Sequence, residues 1–183
     1  MNFLFVCTHL IQNLIPLFVE LNNKKMINFK VLYWEKMNKE YFDTLFNQTI
    51  NFNIETLSGY NFDYLYENKN NNKDVVKFSN QILVTLKLIK YLFTNKSEVV
   101  LVYGYYFPHI ILLLFSKILG KRTIIRSVSY NLGSRNIIKK IFRKIYYSCA
   151  NLFIDEFWSI GKLNTDFYLN FGAKEKNIKI IKM

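Results

Sequence analysis

The closing segment of the chain, FWSIGKLNTDFYLNFGAKEKNIKIIKM, constrains the fold more than any other stretch. It reads as a strand at 157–160, a turn at Gly161, a short helix, a second turn at Gly172 and a strand at 178–181. Two strands joined through a helix lie parallel, so this unit is one step of a parallel sheet. The same alternation repeats upstream. Residues 2–7 (NFLFVC) and 29–34 (FKVLYW) have strand character, and 11–22 reads as a helix with Ile11, Leu14, Ile15, Phe18 and Leu21 on one face. A long helix is expected over 74–94, with Val75, Phe78, Ile82, Leu86, Ile89 and Phe93 as its apolar stripe. The unbroken apolar run EVVLVY (98–103), ended by Gly104, predicts a central strand covered on both faces. An apolar helix at 108–119 closed by Gly120, a strand at 122–129, a turn around Asn131 and Gly133, and a basic helix at 135–150 complete the order. Between 35 and 72 the pattern loosens to a weak strand at 52–57, followed by an Asn-rich loop at 67–73. This alternation predicts an α/β fold with a Rossmann-like, doubly wound, mostly parallel sheet. Ligands of such sheets lie off the carboxyl ends of the strands, which singles out the loops at 8–13, 103–109, 126–135 and 160–165.

Composition narrows the function classes. With 51% of its 183 residues apolar, the chain has material for the core of one substantial domain. Its 25 basic residues against 13 acidic ones give +12, which implies attraction to an anionic partner such as a lipid surface or a nucleotide phosphate. The Asn-, Lys-, Ile- and Tyr-rich usage is that of an AT-rich genome, which discounts part of this lysine excess. No GxGxxG, P-loop, GxSxG or metal-ligand cluster occurs, so a classical NAD(P) enzyme, a P-loop NTPase and an α/β-hydrolase are disfavoured. Nucleic acid is a poor explanation of the charge, because no RNA- or DNA-binding signature is present. Cys7 and Cys149 lack any paired spacing and read as reduced thiols of a cytoplasmic protein. The apolar stretch 110–119 contains Lys117 and is half the length of about twenty residues that a membrane span needs.

Several residues carry candidate chemistry. His9 follows the first strand, where a base or a structural hydrogen-bonding role is open to it, and Gln12 lies within reach. Arg126 sits inside an apolar strand near its carboxyl end and needs either a salt bridge or a phosphate or carboxylate ligand. Gly161 with Asn164 marks either a tight turn or an anion site at a helix N-terminus. The helix RNIIKKIFRKIYY sets Ile137, Ile138, Ile141, Phe142 and Ile145 on one stripe and Arg135, Lys139, Lys140, Arg143 and Lys144 on the other. It reads as a surface helix packed by its apolar stripe, as a basic face docked on an anionic membrane, or as both.

Four segments resemble the N-terminal domain of bacterial GT-B glycosyltransferases, in particular the family 4 group that builds capsules, O-antigens and exopolysaccharides. CTHLIQNLIPLFVEL is similar to the group's opening through His9, Gln12, Pro16 and Leu17. EVVLVYGYYF is similar to its strand ending in Gly-Tyr, here Gly104 and Tyr105. GKRTIIRSVSYN is similar to its strand with an internal arginine, here Arg126. The closing segment is similar through Gly161, Asn164, Phe167, Tyr168 and Gly172. The resemblance implies transfer of a sugar from a nucleotide-sugar co-substrate to a lipid-linked saccharide acceptor at the inner face of the membrane, without a metal or other cofactor. It makes residues 1–183 a single acceptor-side domain. His9 would act as a contact or base, and Gln12, Gly104, Tyr105, Arg126, Gly161 and Asn164 as acceptor or phosphate contacts. The group's chains run on into a donor domain bearing paired glutamates that no segment here matches. The expectation is therefore a truncated product, or a subunit or peripheral binding module with a separate donor partner, inactive alone.

Overall fold

A computed structural model describes residues 1–24, 26–35, 40–43, 48–51, 57–66, 78–129 and 137–181. Nine strands and five helices follow in order: β1 (Asn2–Cys7), α1 (Ile15–Asn23), β2 (Asn28–Glu35), β3 (Glu40–Asp43), β4 (Gln48–Asn51), β5 (Phe62–Tyr66), α2 (Phe78–Thr94), β6 (Val99–Tyr103), α3 (Phe107–Ile118), β7 (Arg122–Arg126), α4 (Ile137–Asn151), β8 (Glu156–Ser159), α5 (Lys162–Asn170) and β9 (Ile178–Ile180). Seven of the strands form one parallel sheet in the order β5-β2-β1-β6-β7-β8-β9, and β3 and β4 pair as a separate antiparallel hairpin. The strand order reverses between β1 and β6, the switch point at which open parallel sheets form a ligand crevice.

The sheet forms where the sequence supplies apolar residues to both of its faces. Along β1, Phe3, Phe5 and Cys7 point to one face while Leu4 and Val6 point to the other; β6 divides in the same way, with Val99 and Leu101 opposed to Val100 and Val102. On the first face α1 packs through Phe18, whose ring lies 4.8 Å from Phe5, 5.7 Å from Phe29 and 5.4 Å from Tyr60. The helices α2, α3, α4 and α5 contribute to the core on the second face, through residues such as Val84, Leu113, Ala150 and Phe167. Among the described residues, one helix therefore covers one face and four contribute to the other.

Two departures from the sequence pattern have physical causes, and three expected features lie outside the described residues. The strand β5 escaped the pattern because all five of its residues are half-buried at the sheet edge, where Asp63 pairs with Lys30 at 2.6 Å. The expected strand at 52–57 lies almost wholly outside the described residues, as do the Asn-rich loop and the turn at Asn131 and Gly133. On α2 the expected stripe is the wrong one: Val84, Leu88 and Leu92 are buried, whereas Ile82, Leu86 and Phe93 are 55%, 60% and 63% exposed. That helix is apolar on both sides, so periodicity alone could not choose its inner face.

His109 illustrates how the core sets protonation. It is fully buried against Trp34 and Tyr106, with ring centroids 4.9 and 5.4 Å away, and its Nδ1 lies 3.1 Å from the Gly104 carbonyl. A carbonyl only accepts, so Nδ1–H donates and Nε2 holds a lone pair. Burial pushes the ring pKa down from 6.5 to about 4. The unfolded state therefore takes up the proton first as pH falls. The stability tied to neutral His109 is fully present above about pH 6.5 and is lost as pH falls through about 4. Chemical unfolding across that window should show about 3 kcal/mol of pH-dependent loss that His109→Gln removes.

Candidate functional site

The carboxyl edge of the sheet brings the sequence candidates to one side of the molecule. In register, Tyr33 of β2, Cys7 of β1, Tyr103 of β6, Arg126 of β7 and Trp158 of β8 form one row across five neighbouring strands. Strands lie about 4.8 Å apart and residues at one level share a face, so this row points to the side that α1 covers over β1 and β2.

Arg126 is the anomaly in that row. It is 1% exposed, and its Nε, Nη1 and Nη2 have no hydrogen-bond partner among the described residues. Of the two alternatives the sequence left open, the salt bridge is not made among the described residues, where the groups that act on the charge are the phenols of Tyr103 and Tyr168. Desolvation lowers its pKa, but a guanidinium stays protonated at any physiological pH. A buried cation without an acceptor is costly, and buried polar groups in native proteins are nearly always satisfied. This geometry suits an anionic ligand. On the opposite face of the sheet, Trp34 Nε1–H and His109 Nε2 are a buried donor and acceptor that also lack partners among the described residues.

The other candidates divide into rim and framework. His9 is exposed directly after β1, hydrogen-bonded through Nδ1 to Thr8 Oγ1 at 2.7 Å, and partial desolvation lowers its pKa so that it is neutral at pH 7. Gln12 is exposed at the start of a 3-10 turn that leads into α1. Tyr105 belongs to the core: its hydroxyl donates to Asn151 Oδ1 at 2.8 Å, its carbonyl accepts from the Tyr146 hydroxyl at 3.1 Å, and its ring packs against Tyr147 and Phe167. Asn164 is also engaged. Its Nδ2 donates to the Ser129 carbonyl at 2.8 Å and its Oδ1 accepts from the Ile160 N–H at 3.3 Å, which ties the loop after β7 to the turn after β8. The Gly161 N–H is not free either, since it donates to Ser159 Oγ at 3.3 Å. The pair Gly161 and Asn164 thus sits in a hydrogen-bonded turn that holds the loop after β7. Of the basic stripe on α4, Arg135 and the side chain of Lys139 lie outside the described residues, and Lys140, Arg143 and Lys144 are exposed. The reading in which the apolar stripe of α4 packs on the core is not met: Ile137, Ile138, Ile141, Phe142 and Ile145 are all exposed.

Two framework groups went unrecognised in the sequence, Ser127 at this edge and Asn151 at the far end of α4. Ser127 follows Arg126, and both its N–H and its Oγ lie within 3.0 and 3.1 Å of the Tyr168 hydroxyl. Asn151 links Tyr105 to the Phe171 carbonyl, donating at 2.9 Å. Only the pairing reveals them, because serine and asparagine are common at such spacings. Gly104 closes the β6 end: its φ is 89°, its N–H donates to the Arg126 carbonyl at 2.7 Å, and an added Cβ would stand 2.9 Å from Tyr106 Cε2. A Gly104→Ala substitution should cost about 1–3 kcal/mol through left-handed strain and displace the Tyr106 ring, measurable as a lowered urea midpoint.

No protein-family model matches the chain, and no curated protein matches it. Solved structures do. UDP-GlcNAc 2-epimerase from Methanocaldococcus jannaschii, in complex with UDP-GlcNAc and UDP, superposes with a TM-score of 0.60 at 18% identity, over 98% of this chain and 46% of that one. UDP-GlcNAc 2-epimerase from Neisseria meningitidis bound to UDP-GlcNAc gives 0.59 at 16%, over 97% and 46%. Anabaena HepE in complex with UDP and glucose gives 0.58 at 11%, over 100% and 44%. At these identities the likeness is one of fold, and the chain spans less than half the length of each of these structures. The chain shares with these structures a Rossmann-like α/β fold, here a seven-stranded parallel sheet with flanking helices.

Proposed function

We propose that this chain is the acceptor-side half of a nucleotide-sugar enzyme, and that the enzyme is a glycosyltransferase. In this reading a sugar passes from a nucleotide-sugar donor to a lipid-linked saccharide acceptor. The observation that carries the proposal is Arg126, a buried guanidinium with no hydrogen-bond partner among the described residues, one strand away from the switch point. A pyrophosphate, whether of the acceptor or of the departing nucleotide, supplies the oxygens that its fork of donors lacks. Glycosyl transfer breaks the bond between the anomeric carbon and a phosphate oxygen, and negative charge grows on the leaving diphosphate. A preorganised cation in a dry site stabilises that charge. In this reading neutral His9 accepts the proton of an attacking hydroxyl and Gln12 orients it, which their exposure after β1 and the lowered pKa of His9 support. Half-length coverage of the neighbours supports a second half, covalent or separate, that holds the donor.

A second reading follows from the neighbours that are UDP-GlcNAc 2-epimerases: half of an enzyme that epimerises a UDP-sugar. Thermal unfolding of the purified chain with pyrophosphate, a short-chain prenyl pyrophosphate saccharide, or UDP-GlcNAc separates the two. The transferase reading expects the prenyl pyrophosphate saccharide to raise Tm by about 5–10 °C at a hundredfold excess over its Kd. Stabilisation by UDP-GlcNAc with none from the prenyl ligand favours the epimerase reading, and no response to any of the three removes both. Arg126→Met should raise the ligand-free stability by about 1–3 kcal/mol, because it removes an uncompensated buried charge, and should abolish the ligand-induced shift. A variant that is destabilised and still binds would show the guanidinium to be a structural group.

A further inference from the structure

We infer that Trp34 and His109 together form a buried subsite for one hydroxyl group, held between the indole N–H and the imidazole Nε2. Trp34 lies near the carboxyl end of β2 and His109 in the first turn of α3, so they come from opposite sides of the switch point. Both are fully buried. Their rings meet edge to face, with centroids 4.9 Å apart and an interplanar angle of 76°. Tyr106, half-buried just before α3, stands against both, 5.6 Å from Trp34 and 5.4 Å from His109.

The two nitrogens are complementary. An indole N–H only donates. His109 Nδ1–H is committed to the Gly104 carbonyl at 3.1 Å, so Nε2 of the neutral ring only accepts. Neither nitrogen has a hydrogen-bond partner among the described residues, so they do not bond each other. One oxygen joins nitrogens up to about 6 Å apart, a span compatible with the ring separation. That oxygen has to accept from Trp34 and donate to His109, which is what a hydroxyl does. A carbonyl or an anion would leave Nε2 unsatisfied, and a cation would leave the indole N–H so. Two polar partners are also the minimum that holds an ordered buried water. The hydroxyl is thus that of a single water, or that of a neutral saccharide reaching in past Tyr106. The subsite lies on the face opposite Arg126 and does not rest on the reaction proposed above.

Water-selective NOE spectroscopy of the purified chain tests the inference. The chain has two tryptophans, so loss of one indole signal in Trp158→Phe identifies that of Trp34. The expected result is a direct cross-peak from Trp34 Hε1 to water, with the sign of a bound molecule. If that cross-peak persists when N-acetylglucosamine is added, the hydroxyl belongs to water. If cross-peaks to the carbon-bound protons of the sugar replace it, the hydroxyl belongs to a ligand. His109→Phe should erase the cross-peak, because one remaining hydrogen bond does not hold the group. Ser97→Ala, which removes another unpartnered buried hydroxyl at the amino end of β6, should leave it unchanged. Should His109→Phe fail to fold, a long-range nitrogen correlation spectrum of the parent reads the acceptor directly. A hydrogen-bonded His109 Nε2 resonates upfield of a bare one. The inference is overturned by a Trp34 Hε1 that shows no cross-peak to water or sugar, or by a cross-peak that survives His109→Phe. A coupling between Trp34 Nε1 and His109 Nε2 through a direct hydrogen bond overturns it as well.

Discussion

Arg126 carries a full positive charge into a row of aromatic side chains, between Tyr103 and Trp158, with no acceptor among the described residues. Burying a guanidinium in this way is tolerable only if the rest of the edge is rigid enough to hold it. The surrounding hydrogen bonds do that. Gly104 clasps the Arg126 carbonyl, Ser127 is fastened to Tyr168, and Asn164 ties the following loop to the turn after β8. The edge is thus a preformed frame around one unsatisfied cation, and a frame of this kind stabilises charge that arrives with a ligand.

The sheet explains why that cation sits where it does. The order β5-β2-β1-β6-β7-β8-β9 opens the crevice between β1 and β6, and the parallel register puts Cys7, Tyr103 and Arg126 at one level beside it. Among the described residues helices are distributed unevenly, with α1 on the face where Arg126 points and α2 to α5 on the other. Over β7 and β8, shielding on this side comes from side chains such as Trp158, whose ring reaches to 6.2 Å from Phe3 across two intervening strands.

Much of this was legible in the sequence, for reasons that also mark the limits. The strands β1, β6 and β8 and the helices α3 and α5 announce themselves, because runs buried on both faces are unbroken and glycines punctuate the turns. Arg126 stood out as a charge inside an apolar strand, but its lack of a partner is a property of the assembled sheet. Asn164 and Tyr105 were visible as motif residues, yet their side chains are engaged inside the framework. The inner faces of α2 and α4 were illegible because both helices carry apolar residues outward, and periodicity reports that a stripe exists without saying which way it points. Edge strand β5, half-buried throughout, gives no alternation to read.

At the centre stands the proposal that the Arg126 guanidinium, which has no acceptor among the described residues, takes up a diphosphate. Nitrogen-detected NMR of the arginine Nε–Hε resonances during titration with pyrophosphate addresses it most directly. The account predicts that one resonance, absent from Arg126→Met, moves and saturates with pyrophosphate and moves far less with chloride at the same ionic strength. An Arg126 resonance that stays fixed while pyrophosphate is added would contradict it.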